Sequence, residues 1–274
     1  MRAILLALVP LFAVGCSKGA GDAPKPVAEA SASAAPSSAP SVSASAEAVA
    51  GGARKVEVSN DLYEFEYAYP AAAGAVPALK SWFDSDVEKQ RGDLAKDARE
   101  QQAESRKGDF PYRAIGRWID WQVVADLPGW LSLSASVSTY EGGAHPNHVS
   151  DALVWDRQAN VRRDPLDFFT SKAALSAAIR KDFCAALDRQ RAKKRGEPVK
   201  RDSDEPFSEC IDPVDSTIIL GSSNRKAFDR VGVLVAPYEA GPYAEGGYEV
   251  TLPVTPAVLA TVKPEFRPTF VAAR

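Results

Sequence analysis

Leu131-Ser132-Leu133-Ser134-Ala135-Ser136-Val137-Ser138-Thr139-Tyr140-Glu141-Gly142-Gly143-Ala144-His145-Pro146 sets the architecture of this chain. Its odd positions up to Val137 are apolar and the even positions between them are serine, the period-two pattern of a half-buried strand. Gly142 and Gly143 then let the backbone turn through positive φ. A tyrosine, a carboxylate and one of only two histidines therefore stand together at the end of a rigid strand.

Outward from this turn the pattern alternates between strands and helices. Leu62 to Tyr69 places Tyr63, Phe65, Tyr67 and Tyr69 on one strand face. Leu79, Trp82, Phe83, Val87, Leu94 and Ala98 follow helical spacing through a charged segment reaching about Ser105, with Gly92 a point where that helix can break. Arg113 to Ala125, Leu131 to Thr139 and Val149 to Asp156 read as strands.

A second helix is predicted from an N-cap at Thr170 or Ser171, with Leu175, Ile179, Phe183 and Leu187 at every fourth position and Gly196 as its stop. Arg191, Lys193, Lys194 and Arg195 crowd its end, where cations complement the helix dipole. Ile218 to Leu220, Ala227 to Ala236 and Tyr248 to Val254 are further strands, and Thr255-Pro256 opens a last short helix. This uneven order predicts an α+β fold, mainly antiparallel sheet with two main helices packed on it. The domain spans 56–274, in two modules of about 56–125 and 126–270.

Residues 1–16 read as an export signal. Arg2 is followed by an apolar run from Ala3 to Val14 that is too short to span a membrane. Ala13-Val14-Gly15-Cys16 resembles the lipobox of bacterial lipoproteins, which implies lipidation of Cys16 after removal of the signal. An ordinary secretory signal is the alternative. Ser17 in the next position implies an outer-membrane address facing the periplasm. Residues 17–55 are rich in Ala, Pro and Ser and lack aromatics, the composition of a disordered linker.

Of three cysteines, assigning Cys16 to lipid leaves Cys184 and Cys210, an even pair in an oxidising compartment. A disulfide between them is expected; two buried thiols are the alternative. The net charge of −3 is spread over alternating acidic and basic residues, with no basic stripe for nucleic acid.

Chemistry is sparse. His145 and His148, with Glu141 and Asp151, form a formal set of metal ligands, but Pro146 separates the histidines and no helix aligns them. Neither a metal nor a cofactor is expected. No Gly-x-Ser-x-Gly elbow or phosphate loop is present, so no catalytic residue is assigned. Carboxylates are plentiful, which leaves a glycan hydrolase open. The stretch from Val235 to Gly247 sits between two strands and is rich in tyrosine, proline, glycine and glutamate. Tyr238, Gly241 and Tyr243 there suit either a binding loop or a structural turn packed on the core.

Taken together, Tyr140-Glu141-Gly142-Gly143-Ala144-His145-Pro146-Asn147, then Leu166-Asp167-Phe168-Phe169, then Ala236-Pro237-Tyr238-Glu239-Ala240-Gly241-Pro242 resemble the RsiV-like domain. That family, largely of unknown function, occurs in the lysozyme-sensing anti-sigma factor RsiV and ahead of the catalytic part of the peptidoglycan deacetylase PdaC. The resemblance covers roughly residues 56–270. It departs from the family at Ala159-Asn160-Val161-Arg162, where Gly-Lys is usual. It implies an envelope binding module whose partner is a lysozyme-like protein or a peptidoglycan fragment. A structural envelope lipoprotein without a small ligand is the remaining reading. The candidate binding residues are Tyr140, Glu141, Gly142, Gly143, His145, Pro146, Asn147, Tyr238, Gly241 and Tyr243.

Overall fold

The computed structural model describes residues 43–48, 52–201 and 203–273. The signal peptide, Cys16 and most of the linker lie outside the described residues. In chain order the strands are β1 (Ser43–Ala48), β2 (Arg54–Ser59) and β3 (Tyr63–Tyr69), followed by helices α1 (Ala71–Gly74) and α2 (Pro77–Lys107). Strands β4 (Ile115–Asp126), β5 (Trp130–Tyr140), β6 (Asn147–Asp156) and β7 (Val161–Arg163) come next, then α3 (Lys172–Arg195). Strands β8 (Thr217–Gly221), β9 (Arg230–Val235) and β10 (Tyr248–Pro253) precede the short α4 (Pro256–Thr261). The fold is α+β, as the sequence predicts.

Strands β1 to β7 form one sheet in chain order, and β10-β9-β8 a second. All strand neighbours among the described residues are antiparallel except β3 and β4, which run parallel on either side of α2. Strand β1 corrects the linker reading, because Ser43–Ala48 pair with β2 inside the stretch assigned to disorder. An edge strand is held by backbone hydrogen bonds, so a side-chain composition poor in aromatics does not forbid it. Strand β2, with Val56 and Val58 buried, and the short β7 were not legible as strands.

Helix α2 lays Leu79, Phe83, Val87, Leu94 and Ala98 on the first sheet. Phe83 stacks on Tyr69 at 4.9 Å and meets the edge of Trp121 at 5.3 Å. Such aromatic pairs add about 0.5–1.5 kcal/mol each beyond their burial. The Trp121 indole donates to the Tyr67 hydroxyl at 3.1 Å, which donates to Asp86 at 2.7 Å. Burial and that carboxylate both push the Tyr67 pKa upward.

Gly92 does not break α2, which runs unbroken for 31 residues. Packing of the flanking Val87 and Leu94 holds the turn that a lone glycine would weaken. Space for a Cβ at Gly92 is open. Gly92→Ala is therefore expected to stabilise the protein by about 1 kcal/mol, read as a higher urea midpoint at unchanged slope; no gain would mean the helix is not continuous there.

The second core lies between α3 and the small sheet. Ser171 caps α3 by accepting from the Ala174 amide at 3.0 Å, and Gly196 ends it at φ +78°. Leu175, Ile179, Phe183 and Leu187 are buried as the spacing predicts, and Cys184 bonds to Cys210 across a Cα separation of 5.7 Å.

The two cores do not divide at residue 125. Leu131, Leu133, Leu153 and Trp155 belong to the first core while Val154 faces the second. A register shift between Val123 and Ala125 turns Ala125 and Leu127 toward the second core as well. The boundary thus runs through the sheet, one strand face to each side. Ser132, fully buried, shows the cost of the simple half-buried reading of β5: its far end is covered on both faces.

Candidate functional site

The β5–β6 hairpin pairs without interruption from Trp130↔Asp156 to Thr139↔Asn147, so its turn is carried on a stiff ladder. Tyr140 ends β5 and donates its hydroxyl to the Gly143 carbonyl at 3.0 Å. Gly142 sits at φ +84°, a conformation that requires glycine here. The β9–β10 hairpin supplies the second loop, with Tyr248 opposite Val235.

The two loops meet at His145. Its ring stacks on Tyr243 with centroids 3.7 Å apart and planes at 21°. His145 Nδ1 lies 2.9 Å from the Pro146 carbonyl, which also accepts from the Tyr243 hydroxyl at 2.8 Å. A carbonyl only accepts, so in the neutral ring the proton sits on Nδ1 and Nε2 is left to accept from Tyr238, 3.3 Å away. His148, bonded to Ser138 at 2.6 Å, places its ring 6.1 Å from Tyr243 on a nearly parallel plane. Both histidines of the chain thus flank one tyrosine, a ring cluster rather than a ligand set converging on an ion.

Tyr238 is 54 % exposed and holds φ at +71°, a position that costs a bulky residue about 1–3 kcal/mol. Tyr238→Gly is expected to raise stability by about 1 kcal/mol while removing the exposed ring. A thermal melt that fails to rise would mean the loop is already relaxed around the tyrosine.

Helix α3 holds this second loop in place. Arg191, 0 % exposed, donates from Nε to the Ala240 carbonyl and from Nη1 to the Glu209 carbonyl, each at 2.8 Å. Arg195 pairs with Glu245 at 2.9 Å, Tyr248 donates to the same carboxylate, and Lys194 donates to the Gly247 carbonyl at 2.7 Å. Arg191, Lys194 and Arg195 do more than complement a helix dipole: they anchor the tyrosine loop. The signal for Arg191 was available, since it is the next fourth position after Leu187 and continues the buried face.

Burial raises the Glu245 pKa, but hydrogen bonds from Arg195 and Tyr248 outweigh it and leave the group below the ordinary glutamate value. A carboxyl whose folded pKa is depressed stabilises above its unfolded value and loses that contribution as pH falls through the folded one. Protection of amides 240–247 against hydrogen exchange is therefore expected to fall in acid below the ordinary glutamate range. Glu245→Gln should flatten that acid dependence; an identical acid profile in the variant would reject the anchor.

The predicted residues separate into groups. Tyr140, Gly142 and Gly143 build the turn, and His145, Pro146, Tyr238 and Tyr243 form the ring cluster. Gly241 is needed for space, because a Cβ there would approach the Glu245 carboxylate to 2.2 Å. Asn147 is exposed at the first position of β6, opposite Thr139. Glu141 and Gly142 border a groove of about 530 Å³ that also takes in the end of α2 and the segment leading into β4. Its aromatic residues Phe110 and Tyr112 carried no sequence signal.

Residues 56–148 match the protein family described as Deacetylase PdaC. This stretch is similar to a PdaC-type domain. It covers β2 to the start of β6 and includes the Tyr140–His148 turn, while the tyrosine loop and its α3 anchor lie beyond the matched residues. A crystal structure of a DUF3298 family member from Bacteroides fragilis is 14% identical, with 84% of this chain and 97% of that one covered at a TM-score of 0.52. A DUF3298 family protein from Pseudomonas aeruginosa PAO1 is 16% identical over 86% of this chain and 97% of its own, at a TM-score of 0.41. The former likeness is one of fold alone, over most of this chain. Among curated proteins none matches the chain.

Proposed function

We propose that the protein is a non-catalytic binding module of the bacterial envelope, anchored through lipid on Cys16 to the outer membrane and facing the periplasm. Its partner is a wall-active protein such as lysozyme, or a fragment of peptidoglycan. The observation that carries this reading is the meeting of two loops, distant in sequence, on His145, where Tyr238 and Tyr243 present ring surface beside the Glu141 turn. Rings fixed by a rigid hairpin and by α3 bind with little entropic loss.

Calorimetric titration of the protein with hen lysozyme, and separately with soluble muropeptides, tests it. Saturable heat with either, lost in His145→Ala with Tyr243→Ala, supports the module. Slow heat of turnover would replace it with an enzyme, either a glycan hydrolase or the deacetylase that the matched family's description names. Silence with both probes would leave a structural lipoprotein. Globomycin-sensitive processing and labelling by radioactive palmitate test the anchor on Cys16.

A further inference from the structure

The groove on the other side of the Glu141 turn is not used by the ring cluster. Its floor is aromatic. Phe110 is 57 % exposed, and it is held there by the turn that ends α2: Gly108 closes the helix, Asp109 takes φ +53°, and the Phe110 amide donates to the Ser105 carbonyl at 3.1 Å. The Phe110 ring sits against Gly108, where an added Cβ would meet its Cε1 at 2.5 Å, so part of the ring is seated while most of the residue stays open. Tyr112 is fixed beside it by donating to the Leu62 carbonyl at 2.6 Å.

The rim is acidic. Glu100, Glu104 and Glu141 border the groove with Arg113, three carboxylates to one guanidinium, a net of −2. Glu100 and Glu104 meet only lysines of α2 itself, at 3.7 and 2.7 Å, with every partner at least 65% exposed. Such exposed pairs hold their carboxylates weakly and are readily exchanged. Among the described residues Glu141 makes no ion pair.

We propose that this groove receives a long cationic side chain, arginine above all, from a basic polypeptide. The aliphatic stem lies on Phe110 and Tyr112, and the guanidinium reaches the three carboxylates. An aromatic face and a carboxylate rim together match that one side chain, whose stem is apolar and whose planar charge is attracted to both. A neutral sugar would gain nothing from the charge of the rim, and an acidic ligand would be repelled. The proposal rests on the binding-module reading and adds to it the chemistry of the partner.

Fluorescence anisotropy of a labelled octapeptide of alternating arginine and glycine, titrated with the full chain, tests it. Saturable binding is expected, weakened about tenfold in Phe110→Ala and about tenfold in the triple variant Glu100→Gln, Glu104→Gln, Glu141→Gln. The second variant keeps the fold, since these side chains are solvent-facing, and it guards against a folding defect in the first. The alternating glutamate peptide should not bind. Equal binding of both peptides, or an unchanged affinity in the triple variant, would overturn the proposal. Binding of chitotetraose that depends on Phe110, with no peptide binding, would overturn it in favour of a glycan groove. His145→Ala with Tyr243→Ala separates the two sites: lysozyme binding lost there but kept in the groove variants sinks the groove alone, and the reverse sinks the ring cluster alone.

Discussion

Arg191→Ala is expected to destabilise the protein by about 3–5 kcal/mol, the range for breaking a buried, hydrogen-bonded charge. The guanidinium has no exposure and bridges two carbonyls from segments far apart in the chain, Ala240 in the tyrosine loop and Glu209 beside Cys210. Burial pushes its pKa down, although not enough to neutralise a group whose ordinary value is so high. Alanine would leave the Glu209 carbonyl without this donor, leave the Ala240 carbonyl only the long 3.4 Å bond from Arg195, and open a cavity beneath the loop. Urea unfolding should show the loss, and hydrogen exchange should show amides 238–247 opening before the rest. Arg191→Met separates the causes. Methionine refills the space but donates nothing, so it should recover only part of the loss. A deficit below about 1 kcal/mol with the loop still protected would show that Arg191 is a passenger.

The second large effect concerns the covalent link. Removing the Cys184–Cys210 bond, at a sequence separation of 26, is expected to cost about 3–4 kcal/mol by loop-closure entropy. Here the variant Cys184→Ala, Cys210→Ala acts mainly on the unfolded chain, in contrast to Arg191→Ala, which acts on the folded one. The two should still couple, because the bond fixes the segment whose Glu209 carbonyl Arg191 uses. The measurement is a pair of melts with and without reductant. The parent should lose stability in reductant and the double variant should not respond. A parent indifferent to reductant would remove the entropic account.

Much of this architecture was readable from local patterns. The serine alternation of β5, the fourth-position leucines of α3, and the caps at Ser171, Gly196 and Thr255 each report a residue's own surroundings, and the structure places them as read. The disulfide followed from counting. Where the reading fell short, the missing information was tertiary. β2 was obscured because only two valines mark its buried face, and β1 because its pairing is a backbone matter. The sequence offers the residues of the two loops as one candidate group, yet nothing in it says that His145 and Tyr243 touch. Phe110 looked like any loop aromatic, since exposure is a property of what fails to cover it. Arg191 is the instructive miss: its charge masked a position that helical period alone assigns to the interior.

The parallel pair in the first sheet has a bearing on how fast the molecule can form. Most neighbours in that sheet are joined by short hairpins, whose ends meet within microseconds. Strand β3 reaches β4 only after the chain has passed through all of α2, with Tyr63 facing Ile115. That closure is the slow, entropy-limited step, and α2 shortens it by gathering the intervening residues into a rod that docks through Leu79, Phe83 and Val87. The β4–β5–β6 meander can pair through its own hairpins, but it is joined to β3 and the strands before it only once the helix has seated.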